Sequence, residues 1–223
     1  MARALSCHDV AVRPLGLAVL LVVLAAAPTP ARAMMIDYVP PPQTLEPVMT
    51  WRPSHAVGRP FAGRLVNGVQ LPAQGPDHWT YDWGTRTVPN RPWRRWGTDR
   101  LVRLVLRVLH EYRLAYPAAA RVGVADLSRP HGGPFGKEYG GLGHASHQNG
   151  LDVDVLYPRL DGLELRAEAP ALVDPALAQD LLDRFVAAGA VHVFTGPELD
   201  LDGPAGTVMP LRHHDDHMHI RIR

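Results

Sequence analysis

The chain has 223 residues, 46% hydrophobic and 20% charged, which supports one buried core and excludes wholesale disorder. Its 22 prolines and 20 glycines make it loop-rich but not low-complexity. The formal charge is +1, with a single lysine (Lys137) and no basic block, so there is no electrostatic footprint for nucleic acid.

The N-terminal segment reads as a secretory signal. Arg3 and Arg13 precede an apolar run from Leu15 to Ala27. That run is shorter than the ~20 residues of a membrane span. Pro28 and Pro30 end it, and Ala31-Arg32-Ala33 is a small-residue cleavage site, so residues 1–33 are expected to be removed. Export to the periplasm or cell wall follows, with no stable membrane anchor after cleavage. The formal charge shifts from +1 to −1, and the only cysteine, Cys7, is lost. A mature chain without cysteine has no disulfides, and any metal site in it must use histidine and carboxylate.

Residues 34–60, with Pro40-Pro41-Pro42, read as an extended arm or linker, leaving 61–223 as the folded domain. Asn67-Gly68, flanked by apolar residues, predicts a hairpin over 64–71. Trp79, Tyr81, Trp83, Trp93 and Trp96 form an aromatic cluster, either a ligand platform or core packed over a loop.

Thr98 opens a helix with Leu101, Val102, Leu104, Val105, Val108, Leu109 and Tyr112 at helical spacing, and Pro117 ends it. Residues 121–128 read as a short apolar strand, followed by a glycine-rich loop. Residues 151–157 alternate like a strand. Asp174-Pro175 opens a second helix, with Leu177, Leu181, Leu182 and Phe185 on its apolar face. Residues 191–194 and 217–222 complete the strands. The expected fold is α+β, a small, mainly antiparallel sheet flanked by helices.

Seven of the 12 histidines gather in two stretches: His131, His144 and His147, then His213, His214, His217 and His219. On the strand 151–157, Asp152 and Asp154 share one face; on 217–222, His217, His219 and Arg221 share one. If the opposite apolar faces build the core, Asp154 and His219 converge on the open face of the sheet, with His147 arriving from the preceding loop. Two imidazoles and one carboxylate with an open position suit a catalytic zinc ion and an activated water.

His147-x6-Asp154 with His217-x-His219 resembles the core of the LAS zinc metallopeptidases, which include lysostaphin-type enzymes, D-alanyl-D-alanine peptidases and the hedgehog domain. Gly143-His-Ala-Ser-His-Gln-Asn-Gly, His214-Asp-Asp-His-Met-His and Arg129-Pro-His-Gly-Gly-Pro-Phe-Gly resemble the penicillin-insensitive murein endopeptidases more closely. The resemblance runs from about residue 96 to the C-terminus. It implies zinc ligands at His147, Asp154 and His219, a further active-site histidine at His144 that touches metal in some readings, and catalytic roles for His217 and His214. Asp216 stands where D-alanyl-D-alanine dipeptidases carry a base glutamate, so proton transfer passes to His214 and His217. Asp215 or Asp216 either orients an imidazole or is a solvated turn residue. Arg129 and Gln148 are candidate substrate contacts, Arg129 as a carboxylate clamp.

The implied activity is hydrolysis of an amide in peptidoglycan peptides, foremost the D-alanyl–diaminopimelate cross-link, with peptidoglycan as partner and zinc as cofactor. The alternatives are D,D- or L,D-carboxypeptidase action on the same polymer, a non-haem iron oxygenase using the same donors, and a non-enzymatic zinc-dependent wall-binding module.

Overall fold

The computed structural model describes residues 49–137 and 144–223, all within one compact unit, Gln43–Arg223. The expected signal, 1–33, most of the arm, and Gly143 of the glycine-rich motif lie outside the described residues.

Strands β1 (His55–Arg59) and β2 (Ala62–Val66) pair antiparallel around a turn at residues 60–61, with Gly58 inside β1 at φ 77°. The expected domain boundary at residue 61 therefore falls inside this hairpin, because a proline-rich stretch offers no periodicity from which to read a strand. β3 (Val69–Gln70) pairs not with β2 but with β5 (Trp96–Gly97), beyond β4 (His78–Thr80). The expected Asn-Gly hairpin is thus a corner. Asn67 does adopt φ 53°, but Val69 and Leu71 are drawn into the main core, which turns β3 away from β2.

Helix α1 (Asp99–Ala115) starts where the sequence predicts: Thr98 Oγ1 accepts from the Leu101 amide at 3.2 Å. Six of the seven residues at that spacing are buried, and Leu104 is half-buried. It stops because Tyr116, preceding Pro117, is pushed out of helical conformation to φ −126°, ψ 69°. After β6 (Val122–Val124) and β7 (Asp152–Leu156) comes α2 (Pro175–Ala187), capped by the Asp174 carboxylate on the Ala176 and Leu177 amides. β8 (His192–Thr195), β9 (Val208–Pro210) and β10 (His217–Arg221) follow.

The main sheet runs β4-β6-β7-β10-β8-β9, with three antiparallel pairings in the centre and a parallel pairing at each edge. One face carries Val153, Val155, Met218, Ile220 and Val193, packed with the apolar stripes of α1 and α2 into a single core. Truncating one such side chain to alanine costs about 2–5 kcal/mol. This packing commits the opposite face of the same strands to Asp152, Asp154, His217, His219 and Arg221. The fold is the expected α+β arrangement, and among the described residues no helix is long and apolar enough to cross a membrane.

The strand expected over 121–128 is only three residues long, and a β-bulge cuts it short. Asp154 accepts from the Ala125 amide and donates to the Asp126 carbonyl, both at 2.9 Å, so two residues face one. Val122, Val124 and Leu127 point into the helical core, whereas Ala125 joins Trp79, Tyr81 and Leu156 on the other face. The extra residue also turns Asp126 to that face, which strict alternation would have denied it.

Candidate metal centre

The β7–β10 register sets His219 directly opposite Asp154, and Arg221 opposite Asp152. His147 enters from the loop ahead of β7 at φ 66°, a left-handed conformation that costs a non-glycine residue about 1–2 kcal/mol. Its amide donates to Asp152 Oδ2 at 3.1 Å, which helps hold that backbone in place.

Each imidazole has its outer nitrogen committed to a group that can only accept. His147 Nδ1 meets the Leu127 carbonyl at 2.6 Å, His219 Nε2 meets Asp152 Oδ1 at 3.1 Å, and His144 Nε2 meets the Asp126 carboxylate. These contacts require N–H donors, so the inner nitrogens, His147 Nε2, His219 Nδ1 and His144 Nδ1, are left to carry lone pairs. His147 Nε2 lies 3.1 Å from His219 Nδ1 and 3.2 Å from Asp154 Oδ1, and His219 Nδ1 lies 3.0 Å from the same oxygen. Three acceptors in a triangle of this size repel one another unless a proton or a metal cation lies among them. A tetrahedral ion with bonds of 2.0–2.1 Å spaces its ligands about 3.3 Å apart. His144, His147 and Asp154 also bring ligand-type atoms within 4.8 Å of one another, with His144 Nδ1 3.9 Å from Asp154 Oδ2. That oxygen is buried and has no hydrogen-bond partner. The donor set therefore fits a metal ion.

The electrostatics favour positive charge here. Burial opposes charging His219, but the Asp152 and Asp154 carboxylates outweigh it and push its pKa to about 9. Burial likewise opposes charge on His144, and its bond to Asp126 together with nearby Asp154 raises it. Burial would raise Asp154, yet the facing His147 and His217 hold it well below the carboxylate range.

His217 and His214 stand beside this triangle, their rings 4.8 Å apart. His217 Nδ1 donates to Asp216 Oδ1 at 2.6 Å, and Arg166 Nη1 holds the other Asp216 oxygen at 2.8 Å. Of the two readings open for this aspartate, it is the one that orients an imidazole. His214 Nδ1 donates to the Arg212 carbonyl at 3.0 Å. Burial and the neighbouring His217 lower the His214 pKa, which favours its neutral ring. These residues line a cavity of about 740 Å³, walled also by Tyr81, Trp83 and Phe194. Trp83 packs on His217 at 5.1 Å. The aromatic cluster therefore divides: Trp79 is core, whereas Tyr81 and Trp83 bridge core and cavity wall.

The six histidine and aspartate site residues expected from the sequence thus come together. Arg129 and Gln148 do not join them. Arg129 donates to the Pro134 carbonyl within its own loop. Gln148 uses its backbone to tie Pro60 and Gly133, and its side chain lines a separate surface depression beside β1 and β2. Neither lines the cavity, because the turn at Gly132 and Gly133 folds this loop back against β2. Sequence reasoning missed Arg94 and Asp126, a fully buried ion pair beneath His144. The one available signal was a carboxylate inside the apolar run 122–127. Asp180 and Asp183 accept from Arg184 and Gln179 on α2.

A family model described as penicillin-insensitive murein endopeptidase matches residues 56–183. It begins upstream of the resemblance read from the motifs and ends before β10. Among curated proteins, a penicillin-insensitive murein endopeptidase of Yersinia pestis is 27% identical over 215 residues, covering 81% of this chain and 74% of that protein. One from Klebsiella pneumoniae is 25% identical over 196 residues, covering 76% and 66%. One from Pectobacterium atrosepticum is 27% identical over 187 residues, covering 72% and 63%.

Proposed function

Because this chain belongs to the penicillin-insensitive murein endopeptidase family, and is therefore a peptidase, we propose that it is an exported zinc enzyme hydrolysing peptidoglycan peptides, foremost at the D-alanyl–diaminopimelate cross-link. The observation that carries the reading is the triangle of His147 Nε2, His219 Nδ1 and Asp154 Oδ1 at 3.0–3.2 Å, its imidazoles presenting lone pairs inward.

His147, Asp154 and His219 would hold the ion, with His144 beside them on the Asp154 Oδ2 side. When bound, zinc supplies Lewis acidity toward the scissile carbonyl and a water nucleophile. The chain's own residues supply the proton handling. Asp216 fixes the His217 ring so that Nε2 is its basic atom, and the Arg212 carbonyl does the same for His214. This pair takes a proton from the attacking water and returns it to the leaving amine nitrogen. Trp83 against His217 keeps bulk water from that ring. No serine or cysteine nucleophile is required, so β-lactams should not inhibit. Residues 1–33 would act as the export signal, consistent with a substrate outside the membrane.

The test is digestion of purified sacculi by the wild-type protein, with and without chelator, alongside His147→Ala. Cross-linked muropeptides should disappear only with untreated wild type, and about one zinc ion should be bound per chain. Peptide release that survives both chelator and His147→Ala would overturn the mechanism.

A further inference from the structure

Among the described residues the cavity wall carries four arginines and two carboxylates, Asp154 facing the histidines and Asp216 bound to His217 and Arg166. Two of the arginines are likewise committed: Arg166 to Asp216, and Arg221 to Asp152 at 2.6 Å. The other two, Arg86 and Arg212, are exposed, and among the described residues no acidic side chain pairs with either.

Neither arginine sits on a loose loop. Asp82 staples the turn carrying Arg86: it accepts at its carboxylate from the Gly84 and Thr85 amides and from Arg91, while its carbonyl accepts the Arg86 amide at 2.7 Å. Within that turn Arg86 itself adopts φ 56°. Glycine would occupy this conformation without strain, so an arginine here carries a backbone cost. Arg212 shows the same economy of placement. Its carbonyl accepts from His214 Nδ1, the next residue, His213, is held at φ 66°, and Arg212 lines the same cavity as His214 and His217.

We propose that Arg86 and Arg212 form a carboxylate-recognising rim, selecting substrate peptides with free carboxylates close to the scissile amide. Guanidinium suits this task because it matches carboxylate geometry and stays charged at every working pH. The assignment rests on the peptidase reading and narrows its substrate class to acidic peptides.

Two synthetic cross-linked muropeptides, identical except that the peptide carboxylates are free in one and amidated in the other, test it with the zinc-loaded enzyme. Wild type should favour the free form, and Arg86→Gly and Arg212→Gln should each reduce that kcat/KM ratio by about five- to ten-fold, chiefly through KM. The double variant should bring the ratio close to one. Since each ratio is taken within one preparation, loss of folded protein cannot shift it. Equal wild-type rates on the two substrates, or variants that keep the wild-type ratio, overturn the rim. Cleavage of neither substrate by wild type overturns the peptidase reading and the rim with it.

Discussion

Arg94 and Asp126 show what a single pair of residues does for the centre. Both are fully buried, and the guanidinium binds the carboxylate through two nitrogens, leaving Asp126 able to accept from His144 as well. Removing one partner strands the other charge out of water. Arg94→Met should therefore cost about 3–5 kcal/mol in urea unfolding, and combining it with Asp126→Leu should recover part of that loss. If the double variant were as unstable as the sum of the singles, the pair would not be energetically coupled. The same arrangement explains why His144 is not simply one more surface histidine: Asp126 fixes which nitrogen carries its proton.

The helices and strands are held by local devices whose effects can be measured one at a time. Asp174 caps α2 through two amide hydrogen bonds at 3.1 and 3.0 Å, and Asp174→Ala should lower stability by about 1 kcal/mol, read as a shift in denaturant midpoint at constant slope. Gly132 is a different constraint. It sits at φ 71°, and a Cβ there would meet the Gln148 carbonyl at 2.1 Å. Gly132→Ala should therefore destabilise, and should weaken zinc binding in an equilibrium titration, because the Gln148 backbone is continuous with His147. Unchanged zinc affinity would show that this loop tolerates the shift. At this scale the sequence was largely legible: both caps, the apolar stripe of α1, and the faces of β7 and β10 follow from spacing alone. The β6 bulge and the β3–β5 pairing were not, since each depends on a neighbour that arrives from elsewhere in the chain.

For the whole molecule, acid stability should reflect the protonation of carboxylates held below their ordinary range. Burial would raise the Asp82 carboxyl, but hydrogen bonds from Arg91 outweigh it and hold the pKa at about 2, below its ordinary 3.8. A depressed carboxylate stabilises fully above its unfolded pKa and loses that contribution as pH falls through its folded one. Asp82 should thus lose about 1 kcal/mol between roughly pH 4 and 2, a figure lowered from the full shift because Arg91 is partly solvated. Asp82→Asn should flatten that part of the stability curve. His78 acts in the same direction at higher pH. Burial lowers its pKa, so the fold favours the neutral ring, and stability should decline as pH falls below about 6.5.

Strand periodicity alone establishes which residues share a face: Asp152 with Asp154, and His217 with His219 and Arg221. Periodicity along a strand is a short-range property, and the apolar faces of β7 and β10 have only one side on which to bury. Tertiary structure alone decided the register that sets His219 opposite Asp154 across 65 residues of chain, the bulge that turns Asp126 toward His144, and the loop that takes Arg129 and Gln148 out of the cavity while leaving Arg86 and Arg212 on its wall. Those outcomes depend on hydrogen bonds between distant segments, which no local pattern encodes.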